Sequence, residues 1–569
     1  MYYPLHVHTA KGSIGDSILK IKDYISKAKT MNLTHLAITN HGSLADMYEF
    51  YYECKKENIT PIIGCEVYIT DNQSERIRDY SHLVLIAKND IGLKNLLYIV
   101  SDAQLNGMYY KPRTDLNIIK KHSEGIIALS ACVAGEIPKA ILNFKNADND
   151  KKQETYNLIL NKINDYKNVF KDNFYLEIQP ANFTEQIYVN NLLVNLSNDL
   201  NIPLVATNDI HYLNQEDAFI HNAHICIERK QDLTEELLYK DDVYYLMDEK
   251  DITNRLKYLS KDAIKQAIKN TELIAKSCKI YLETEKLDMP SIPIPTKYNE
   301  DEYLAYITIN TLNKRINEFP NPLEYMERAL YELNVLKVLG FSGYFLTMKD
   351  IIDHAKNNDI PVGPGRGSVC GSLVAYIIGL TSINPIKYGL MFERFLSEQR
   401  VGTVPDIDTD IGSSKREEMF KYTIERHGKE KCALVSTFGI RKAKSAIKDV
   451  ARILNINLEL AETVAKLIPI VWYPDDGDKM TDLDIETSLK LVPELRDYQK
   501  EYPTWFELAI KLEGLPRTSS IHAAGTLIAT HDLIDKIPLR KKSDDSYINA
   551  TALNLHDAET AGFIKFCER

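Results

Sequence analysis

The first 280 residues alternate short β-rich runs with amphipathic helical runs, and this alternation constrains the fold more than any other feature. The pattern predicts helices at 17–31 and 44–57. It predicts strands at 34–39, 59–68, 83–88, 125–130 and 202–207. Strands and helices in alternation build an α/β layer or barrel whose ligands bind at the carboxyl ends of the strands. We therefore expect an α/β fold with its chemistry at the strand ends.

Side chains that bind metals are concentrated at or near the ends of these predicted strands. They are His6, His8, Asp16, His41, Glu66, His82, Cys132, Asp209 and His211. His6 and His8 alternate along one extended segment, as do Asp209 and His211, so the members of each pair face the same side. Imidazole, carboxylate and thiolate groups hold zinc or manganese. A single histidine is more often structural, but so many suitable groups at successive strand ends favour a metal centre.

These positions also carry a family resemblance. Residues 1 to about 280 resemble a PHP (polymerase and histidinol phosphatase) domain, and all nine positions of the family's metal pattern are filled. The resemblance implies a (β/α)7-type barrel that binds Zn²⁺ or Mn²⁺. In related domains the centre hydrolyses phosphoesters, in some cases as a 3′→5′ exonuclease, and in others it is only structural. Asn40 stands where the family usually has Asp.

The second half of the chain begins after a proline-rich segment at 289–295, where the prolines favour extended backbone and predict a linker. A helical region is expected to about residue 360, followed by a short helix at 371–379. The pattern then predicts helix from 416 to about 467, irregular structure at 471–491, and strands at 525–529 and 562–566.

A glycine-rich loop at 363–368 (GPGRGS) precedes the predicted helix near Val369. Free N–H groups at a helix N-terminus bind phosphate, and glycines allow close backbone approach. Arg366 adds charge-assisted contacts to such an anion. A glycine-rich loop alone is more often a tight turn, so a phosphate-binding site is supported only when the residues that follow the loop are considered with it.

An acidic run, PDIDTD at 405–410, follows the loop. Asp406 and Asp408 are two residues apart, so on a strand they project to the same face. Two Mg²⁺ ions about 3.5–4 Å apart can be held between such carboxylates and substrate phosphates. The loop and the acidic run together indicate a phosphoryl-transfer site.

A basic run at 441–452 follows in the same region. Its cations include Arg441, Lys442, Lys444 and Lys448. At about 100° per residue, Lys444 and Lys448 lie one turn apart on a different face from the apolar positions of the helix. The run is either a solvated helix or a DNA-binding surface. The net charge of −11 argues against DNA binding by the whole surface, but it allows such a local basic channel.

A second resemblance covers residues 325–566, which are similar to the α-subunit family of bacterial DNA polymerase III, the C-family replicative polymerases. The matching stretches include GFSGYFL (340–346), the glycine loop through Tyr376, LMFERFL (390–396), PDID (405–408), HAAG (522–525) and AGFIKF (561–566). Together with the PHP resemblance, the match extends over nearly the whole chain. The implied activity is that of a DNA-directed DNA polymerase, a nucleotidyltransferase acting in DNA replication.

The resemblance implies roles and domains. Asp406 and Asp408 would be catalytic and hold Mg²⁺, while Arg366, Gly367, Ser368, Arg394 and Lys565 would bind the nucleotide. The predicted domains are the PHP domain (1–280), a first part of a polymerase-β-like palm (281–430), a helical thumb insertion (431–510) and a second part of the palm (511–569). The thumb would grip duplex DNA through the basic run. Primer–template DNA and deoxynucleoside triphosphates are the implied partners.

The sequence departs from the family where a third catalytic aspartate would follow Lys-Phe, because Cys567 follows Phe566 instead. One interpretation is that a second fragment supplies this aspartate and the fingers, and through them contact with a sliding clamp. A second is a PHP-domain phosphoesterase or 3′→5′ exonuclease attached to a degenerate palm. A third is a non-catalytic DNA-binding replication factor.

The remaining features exclude other classes of protein. No apolar run reaches the roughly 18 residues that span a bilayer. The N-terminus lacks the basic and apolar regions of a signal peptide. The eight cysteines form no CxxC pair, which argues against a disulfide framework. We therefore expect a cytoplasmic protein with no membrane partner.

Overall fold

The chain forms two compact units of mixed α/β structure. The computed structural model describes residues 1–282, 287–396, 405–473, 479–542 and 548–568. The first unit combines Met1–Leu282 with Phe438–Ser520, and the second combines Glu283–Thr437 with Ile521–Arg569. These boundaries lie near the predicted ones at 280, 430 and 510. The assignment of palm and thumb to the segments stays a prediction.

Residues 1–282 alternate strands and helices as the pattern indicates. The strands are β1 (His35–His41), β2 (Thr60–Ile69), β3 (Ser81–Ala87), β4 (Met108–Tyr109), β5 (Lys111–Thr114), β6 (Ile126–Leu129), β7 (Phe174–Ile178) and β8 (Leu204–Ala206). The helices are α1 (Ile21–Thr30), α2 (Met47–Lys56), α3 (Asp90–Leu105), α4 (Leu116–Lys121), α5 (Glu136–Asn146), α6 (Lys152–Phe170), α7 (Thr184–Leu200), α8 (Ala218–Arg229), α9 (Glu249–Arg255) and α10 (Lys261–Ser277).

The strands of this region form one curved sheet. Its order is β4-β5-β2-β3-β6-β7-β8, and β1 also pairs with β2. The N-terminal segment closes the sheet: Thr39 N donates to Val7 O at 2.8 Å, and His8 N donates to Ile210 O at 2.8 Å. Because residues 7 and 8 thereby connect β1 to the segment after β8, the hydrogen-bonded strands form a closed barrel. The predicted α/β fold of this region is confirmed. The central strands β1, β2, β3, β6, β7 and β8 are largely buried on both faces, as expected of a helix-covered sheet, whereas the edge strand β4 is not.

Residues 287–437 are mainly helical. Their helices are α11 (Glu300–Lys314), α12 (Pro322–Leu339), α13 (Ser342–Asn357), α14 (Leu373–Ile377) and α15 (Arg416–His427). The strands are β9 (Asp408–Thr409) and β10 (Cys432–Ile440). Two short 3₁₀ turns, Ser368–Gly371 and Phe392–Arg394, lie between α13 and β9.

The rest of the chain completes both units. The strands are β11 (Ile470–Tyr473), β12 (Lys479–Asp482), β13 (Pro516–Ile528), β14 (Leu539–Arg540), β15 (Asn549–Thr551) and β16 (Lys565–Glu568). The helices are α16 (Ala443–Ile453), α17 (Leu458–Lys466), α18 (Ile485–Leu491), α19 (Pro493–Glu501), α20 (Pro503–Leu512) and α21 (Leu555–Thr560). A six-stranded sheet has the order β14-β15-β10-β13-β16-β9.

Three local predictions in the second half are wrong. The expected helix at 416–467 is interrupted by β10, whose residues CALVSTFGI contain β-branched and aromatic side chains that pack well within a sheet. The expected irregular region at 471–491 contains an antiparallel hairpin, β11–β12, and the helix α18. The helix expected at 371–379 covers only Leu373–Ile377.

Each unit has its own apolar core. In the second unit, Tyr344, Phe345 and Phe392 pack with Ile407 and Phe566, so the helices and the sheet share one interior. Trp505 and Phe506 of α20 pack with α8 and α16 in the first unit. Among the residues that the structure describes, none of the helices has the length and apolar character needed to cross a membrane.

Candidate metal centre and candidate nucleotide site

All nine predicted metal-binding residues lie together at one end of the barrel. Strand direction explains why His82 joins the set although it lies at the start of β3. Because β3 runs antiparallel to β2, the start of β3 lies beside the end of β2, where Glu66 is located. Asp209 and His211 follow β8 and reach the centre through the Val7–Ile210 pairing.

Carboxylate oxygens link the imidazole rings of the centre. Glu66 lies 2.6 Å from His41 Nδ1, 2.9 Å from His82 Nδ1 and 3.3 Å from His6 Nε2. Asp209 Oδ1 lies 3.0 Å from His8 Nε2. Asp16 Oδ2 lies 2.6 Å from His41 Nε2 and 3.1 Å from His211 Nε2. Cys132 Sγ lies 3.8 Å from His82 Nδ1, which brings the thiol into the same cluster.

The unsatisfied atoms of this cluster test whether it fits metal ions. Several buried atoms have the ionic contacts described above but make no hydrogen bond of suitable geometry: His6 Nε2, His8 Nε2, His41 Nδ1, Glu66 Oε2 and Asp209 Oδ1. Such atoms are costly in a protein interior unless they bind something. Three overlapping sets of ligand atoms each lie within 4.8 Å of one another: His8–His41–His211, His6–His8–Asp209 and His41–Glu66–His82. The donor set fits metal ions.

Outer contacts fix the orientation of the rings. His6 Nδ1 lies 2.7 Å from Glu177 Oε1, His8 Nδ1 lies 3.1 Å from Ser13 Oγ, and His211 Nδ1 lies 2.7 Å from Asp209 O. Each contact leaves the other ring nitrogen facing the cluster, which is the usual arrangement around a metal-binding histidine. Glu177 was not among the residues predicted from the sequence, although it lies near the end of a strand, as the predicted metal-binding residues do.

Charge and burial prepare the ligands electrostatically. Burial, reinforced by His41 and His211, lowers the pKa of His8 to about 3, so this ring is neutral at pH 7. Burial disfavours ionisation of Glu66, but the His82, His6 and His41 rings outweigh it and hold the pKa of that carboxyl well below its usual range. Neutral imidazole and ionised carboxylate are the forms that bind metal, and His8 and Glu66 already have them. Burial opposes protonation of His41, but Glu66 and Asp16 outweigh it and raise the pKa of His41 to about 10, so this ring must lose a proton when metal binds.

Asn40, the departure from the family pattern, has a structural role here. Its buried side chain accepts hydrogen bonds from Thr9 N at 2.7 Å and Ser13 Oγ at 3.1 Å, and donates one to Asp46 Oδ1 at 2.9 Å. Asn40 therefore ties the loop after His8 to β1, beside the ligand His41, and it is not among the ligand groups.

Two cavities adjoin the centre. One of about 420 Å³ is lined by Asp16, His41 and His82 together with Lys111 and Arg229. The other, of about 460 Å³, is lined by His41, Cys132, Asp209 and apolar side chains such as Phe183. Both volumes suit a small molecule or the end of a chain. The metal-binding residues are therefore within reach of a ligand on two sides.

In the second unit, the glycine loop and the acidic run are joined through their backbones. Gly363 N donates to Asp410 O at 2.8 Å, and Gly412 N donates to Pro361 O at 3.0 Å. Arg366 Nη2 lies 3.0 Å from Asp408 Oδ2, and its Nε lies 3.3 Å from Asp410 Oδ1. The structure thus brings the predicted phosphate loop and the predicted metal ligands into one site.

Lys565 reaches the same site from β16, where its Nζ lies 3.3 Å from Asp406 Oδ2. Strand β16 also pairs in parallel with β9, so that Cys567 is opposite Asp408 in the register. Position 567 is therefore adjacent to a predicted catalytic residue in the backbone frame. Asp406 itself precedes the two-residue strand β9, so the expectation that both aspartates lie on one strand is wrong.

The other residues predicted to bind the nucleotide lie in different surroundings. Gly367 has a φ of 72°, and a Cβ at this position would meet nothing within 4 Å, so the backbone there is open to a ligand. Ser368 is exposed. Arg394 is exposed in the Phe392–Arg394 turn, and no contact among the described residues joins its side chain to the aspartates.

The expectation of a free helix N-terminus after the glycine loop is wrong. The loop leads into the 3₁₀ turn Ser368–Gly371, and α14 begins only at Leu373. The buried Glu332 occupies that N-terminus, accepting hydrogen bonds from Leu373 N at 2.9 Å and Val374 N at 3.0 Å. A phosphate at this site would therefore meet the loop and the 3₁₀ turn rather than the end of α14.

The basic run is largely neutralised by acidic neighbours. Arg441 is fully buried, with Glu228 at 3.0 Å and Asp449 at 3.2 Å, so its predicted contact with DNA is wrong. Lys444 and Lys448 are partly exposed and pair with Asp482 and Glu462. Lys442 Nζ donates to Thr481 Oγ1 at 3.3 Å. The three lysines remain candidates for DNA contact, whereas Arg441 stabilises the interior of its unit.

Comparison with known proteins agrees with the two sites. Residues 4–181 match the PHP domain family, and residues 302–567 match the bacterial DNA polymerase III alpha NTPase domain family. The chain is 38% identical to DNA polymerase III subunit alpha of Borreliella burgdorferi, over 99% of this chain and 47% of that protein. It is 35% identical to the Aquifex aeolicus protein of the same name, over 99% of this chain and 50% of that protein.

A solved structure of an amidohydrolase from Chromobacterium violaceum is 12% identical, covers 37% of this chain and 88% of its own, and has a TM-score of 0.25. The chain spans about half the length of the curated relatives it matches. Those relatives share one name. The matched PHP segment contains the residues of the metal centre except Asp209 and His211, and the matched NTPase segment contains the candidate nucleotide site. The chain thus combines a segment that matches the PHP domain family with a segment that matches the bacterial DNA polymerase III alpha NTPase domain family.

Proposed function

We propose that this chain provides the PHP domain and most of the catalytic palm of a replicative DNA polymerase that performs template-directed synthesis by two-metal nucleotidyl transfer. The observation that carries the proposal is the meeting of Arg366, Lys565, Asp406 and Asp408 at one site beside an open glycine loop. Primer–template DNA and deoxynucleoside triphosphates are the proposed substrates.

The residues of the chain would bind and orient the reactants. Gly367 and Ser368 would contact the nucleotide phosphates, and Arg366, Arg394 and Lys565 would balance their charge. Mg²⁺ held by Asp406 and Asp408 would favour ionisation of the primer 3′-OH and neutralise the leaving pyrophosphate. Arg366 and Lys565 pair with the aspartates in this structure, so both are already within reach of the same anionic groups. Catalysis would rest on positioning and charge stabilisation.

We further propose that a third carboxylate and the fingers come from polypeptide outside the printed sequence, because the chain spans about half of its relatives. Contact with a sliding clamp would be made through that part. Primer extension tests the proposal: the chain with such a polypeptide should extend a primer with Mg²⁺, and the chain alone should extend it far more slowly. Failure of the combined proteins to extend would contradict it.

A second activity is supported by the metal centre. The unsatisfied ligand atoms and adjacent cavities favour a metal-dependent phosphoesterase, acting on DNA 3′ ends as an exonuclease and using Zn²⁺ or Mn²⁺. Purified protein should contain at least one such ion per chain by elemental analysis, and it should shorten 3′-labelled DNA. Absence of bound metal would contradict this second function, and it would leave the polymerase proposal unaffected.

A further inference from the structure

A buried carboxylate in α12 contacts the residues that directly follow the 3₁₀ turn Ser368–Gly371. Glu332 is fully buried and accepts four hydrogen bonds: from Arg328 Nε at 2.6 Å, Ser372 Oγ at 2.8 Å, Leu373 N at 2.9 Å and Val374 N at 3.0 Å. A carboxylate accepts about four such bonds, so its capacity is used. Burying a charge is costly unless it is paired in this way. Removal of one partner of Glu332 would therefore leave part of a buried charge uncompensated.

These bonds fix the exit of the proposed phosphate-binding turn. Ser372 directly follows the turn Ser368–Gly371, and its N–H donates to Val369 O at 2.9 Å. Arg328 Nη2 donates to Gly371 O at 3.1 Å. The pair Arg328–Glu332 therefore holds the last residue of the turn and the first three residues after it, while the glycine side of the turn stays open at Gly367.

The same helix also holds the segment that contains Arg394. The guanidinium of Arg328 lies 5.8 Å from the centre of the Phe392 ring. Tyr331 OH donates to Glu393 Oε1 at 3.1 Å. The two segments approach closely, since a Cβ on Gly371 would lie 2.6 Å from Met391 O. One turn of α12 thus contacts both segments that are proposed to bind the triphosphate.

We propose that Arg328 and Glu332 are positioning residues that hold the Gly367–Ser368 loop and the Arg394 segment at the spacing required by a nucleoside triphosphate. The proposal rests on the proposed polymerase function of this site. If the pair had only a structural role, its loss would lower the stability of the chain and would weaken the binding of dATP and of duplex DNA to the same degree. Nucleotide affinity compared with DNA affinity therefore distinguishes the two roles.

The test measures binding of Mg²⁺·dATP and, separately, of a primer–template duplex to the full chain. Arg328→Met and Glu332→Gln should weaken dATP binding about tenfold or more, the size expected for losing a hydrogen bond to a charged group. Duplex binding should change less than about twofold. Arg328→Lys keeps the charge beside Glu332 but loses the bond to Gly371 O, so it should give an intermediate result. Lys349→Met, in the partly exposed pair Lys349–Asp353 on α13, is the matched control.

Each outcome bears on the inference. If wild type binds dATP and all three variants bind equally well, or if dATP and duplex affinities fall together, the inference is wrong. If wild type fails to bind dATP, the proposed function fails, and the inference fails with it. Should Glu332→Gln not fold, Arg328→Lys still decides the question, together with amide hydrogen exchange. In that variant, exchange should be faster at 368–374 and unchanged in α13.

Discussion

The two carboxylate sites of this protein are built in opposite ways. In the candidate metal centre of the first unit, Glu66 and Asp209 are buried. They contact His6 and His8, whose other ring nitrogens lie against Glu177 and Ser13. In the second unit, half of the Asp406 side-chain surface is exposed, and its described ionic partner is a single lysine. The carboxylates of the first site are buried within the barrel beside its two cavities, whereas those of the second site are partly exposed.

The two sites neutralise the charge of their carboxylates by different means. A buried carboxylate cluster must contain its own cations or metals, because desolvation would otherwise be prohibitive. An open site can use solvent and mobile cationic side chains until substrate arrives. Arg366 and Lys565 fit that second role, because both are predicted to bind phosphate and both contact aspartates in this structure. We expect changes in the first site to affect stability and metal content, and changes in the second to affect turnover alone.

The largest effect should follow loss of a catalytic carboxylate. Asp408→Asn or Asp406→Asn should reduce primer extension by about a thousandfold or more, because we propose that these groups hold the Mg²⁺ ions whose charge would stabilise the transition state. Thermal unfolding should stay within about 0.5 kcal/mol of wild type, since both residues are partly exposed. Extension is measured with the chain together with a polypeptide that matches the remaining half of its relatives, as proposed above.

Asp353→Asn is the control for this pair of variants, since Asp353 is an exposed carboxylate on α13 that pairs with Lys349. It should extend primers at the wild-type rate. Retained extension in Asp408→Asn would show that the acidic run is not the catalytic site. A large loss of stability would show instead that the open site contributes to folding, and the contrast between the two sites would fail.

The sequence predicted the buried site better than the open one. All nine metal-binding positions came together because strand ends of a barrel converge, and alternation reveals strand ends. The occupied N-terminus of α14 could not be predicted, because Glu332 is about forty residues away in sequence and its burial depends on tertiary packing. Strand β10 was missed because its apolar run fits a helix or a strand until its neighbours in the sheet are known.

The burial of Arg441 was missed for a related reason. A basic run in a sequence predicts solvent-exposed side chains. Only the packing of α16 against α8 brings Glu228 close to the guanidinium of Arg441. Its neighbours Lys444 and Lys448 lie on the other side of the helix and keep partly exposed side chains. The periodicity separated the apolar and basic faces correctly, but it could not assign residue 441, which precedes the first turn of the helix.

The next largest effect should be loss of metal. Glu66→Gln should weaken metal binding about a hundredfold or more, since Glu66 contacts His6, His41 and His82 and an amide is a poorer ligand than a carboxylate. Elemental analysis after dialysis measures the loss. His35→Ala, at the partly exposed start of β1, is the control and should keep its metal. Equal metal content in wild type and Glu66→Gln would mean that the cluster is not the binding site.

A smaller effect is expected from the buried arginine. Arg441→Gln should lower the free energy of unfolding by about 3 kcal/mol, because it leaves the buried Asp449 and the nearby Glu228 without this cation. Arg452→Gln is a matched control: Arg452 contacts the same Asp449 at 2.6 Å from an exposed position and should change stability by less than about 1 kcal/mol. Denaturant unfolding measures both. Equal effects would show that burial does not distinguish the two partners.

The smallest effect concerns the exposed lysines of the basic run. If Lys448 contacts a DNA phosphate, Lys448→Gln should reduce the slope of log K against log salt by about 0.9, the value for one neutralised phosphate. Stability should stay within about 0.5 kcal/mol, because the ion pair with Glu462 is largely exposed. Fluorescence anisotropy of a labelled primer–template over a salt series gives the slope, and Lys500→Gln on α19, which is more exposed, is the control. An unchanged slope would mean that Glu462 keeps Lys448 from DNA, and α16 would then stabilise its unit without contacting the duplex through this residue.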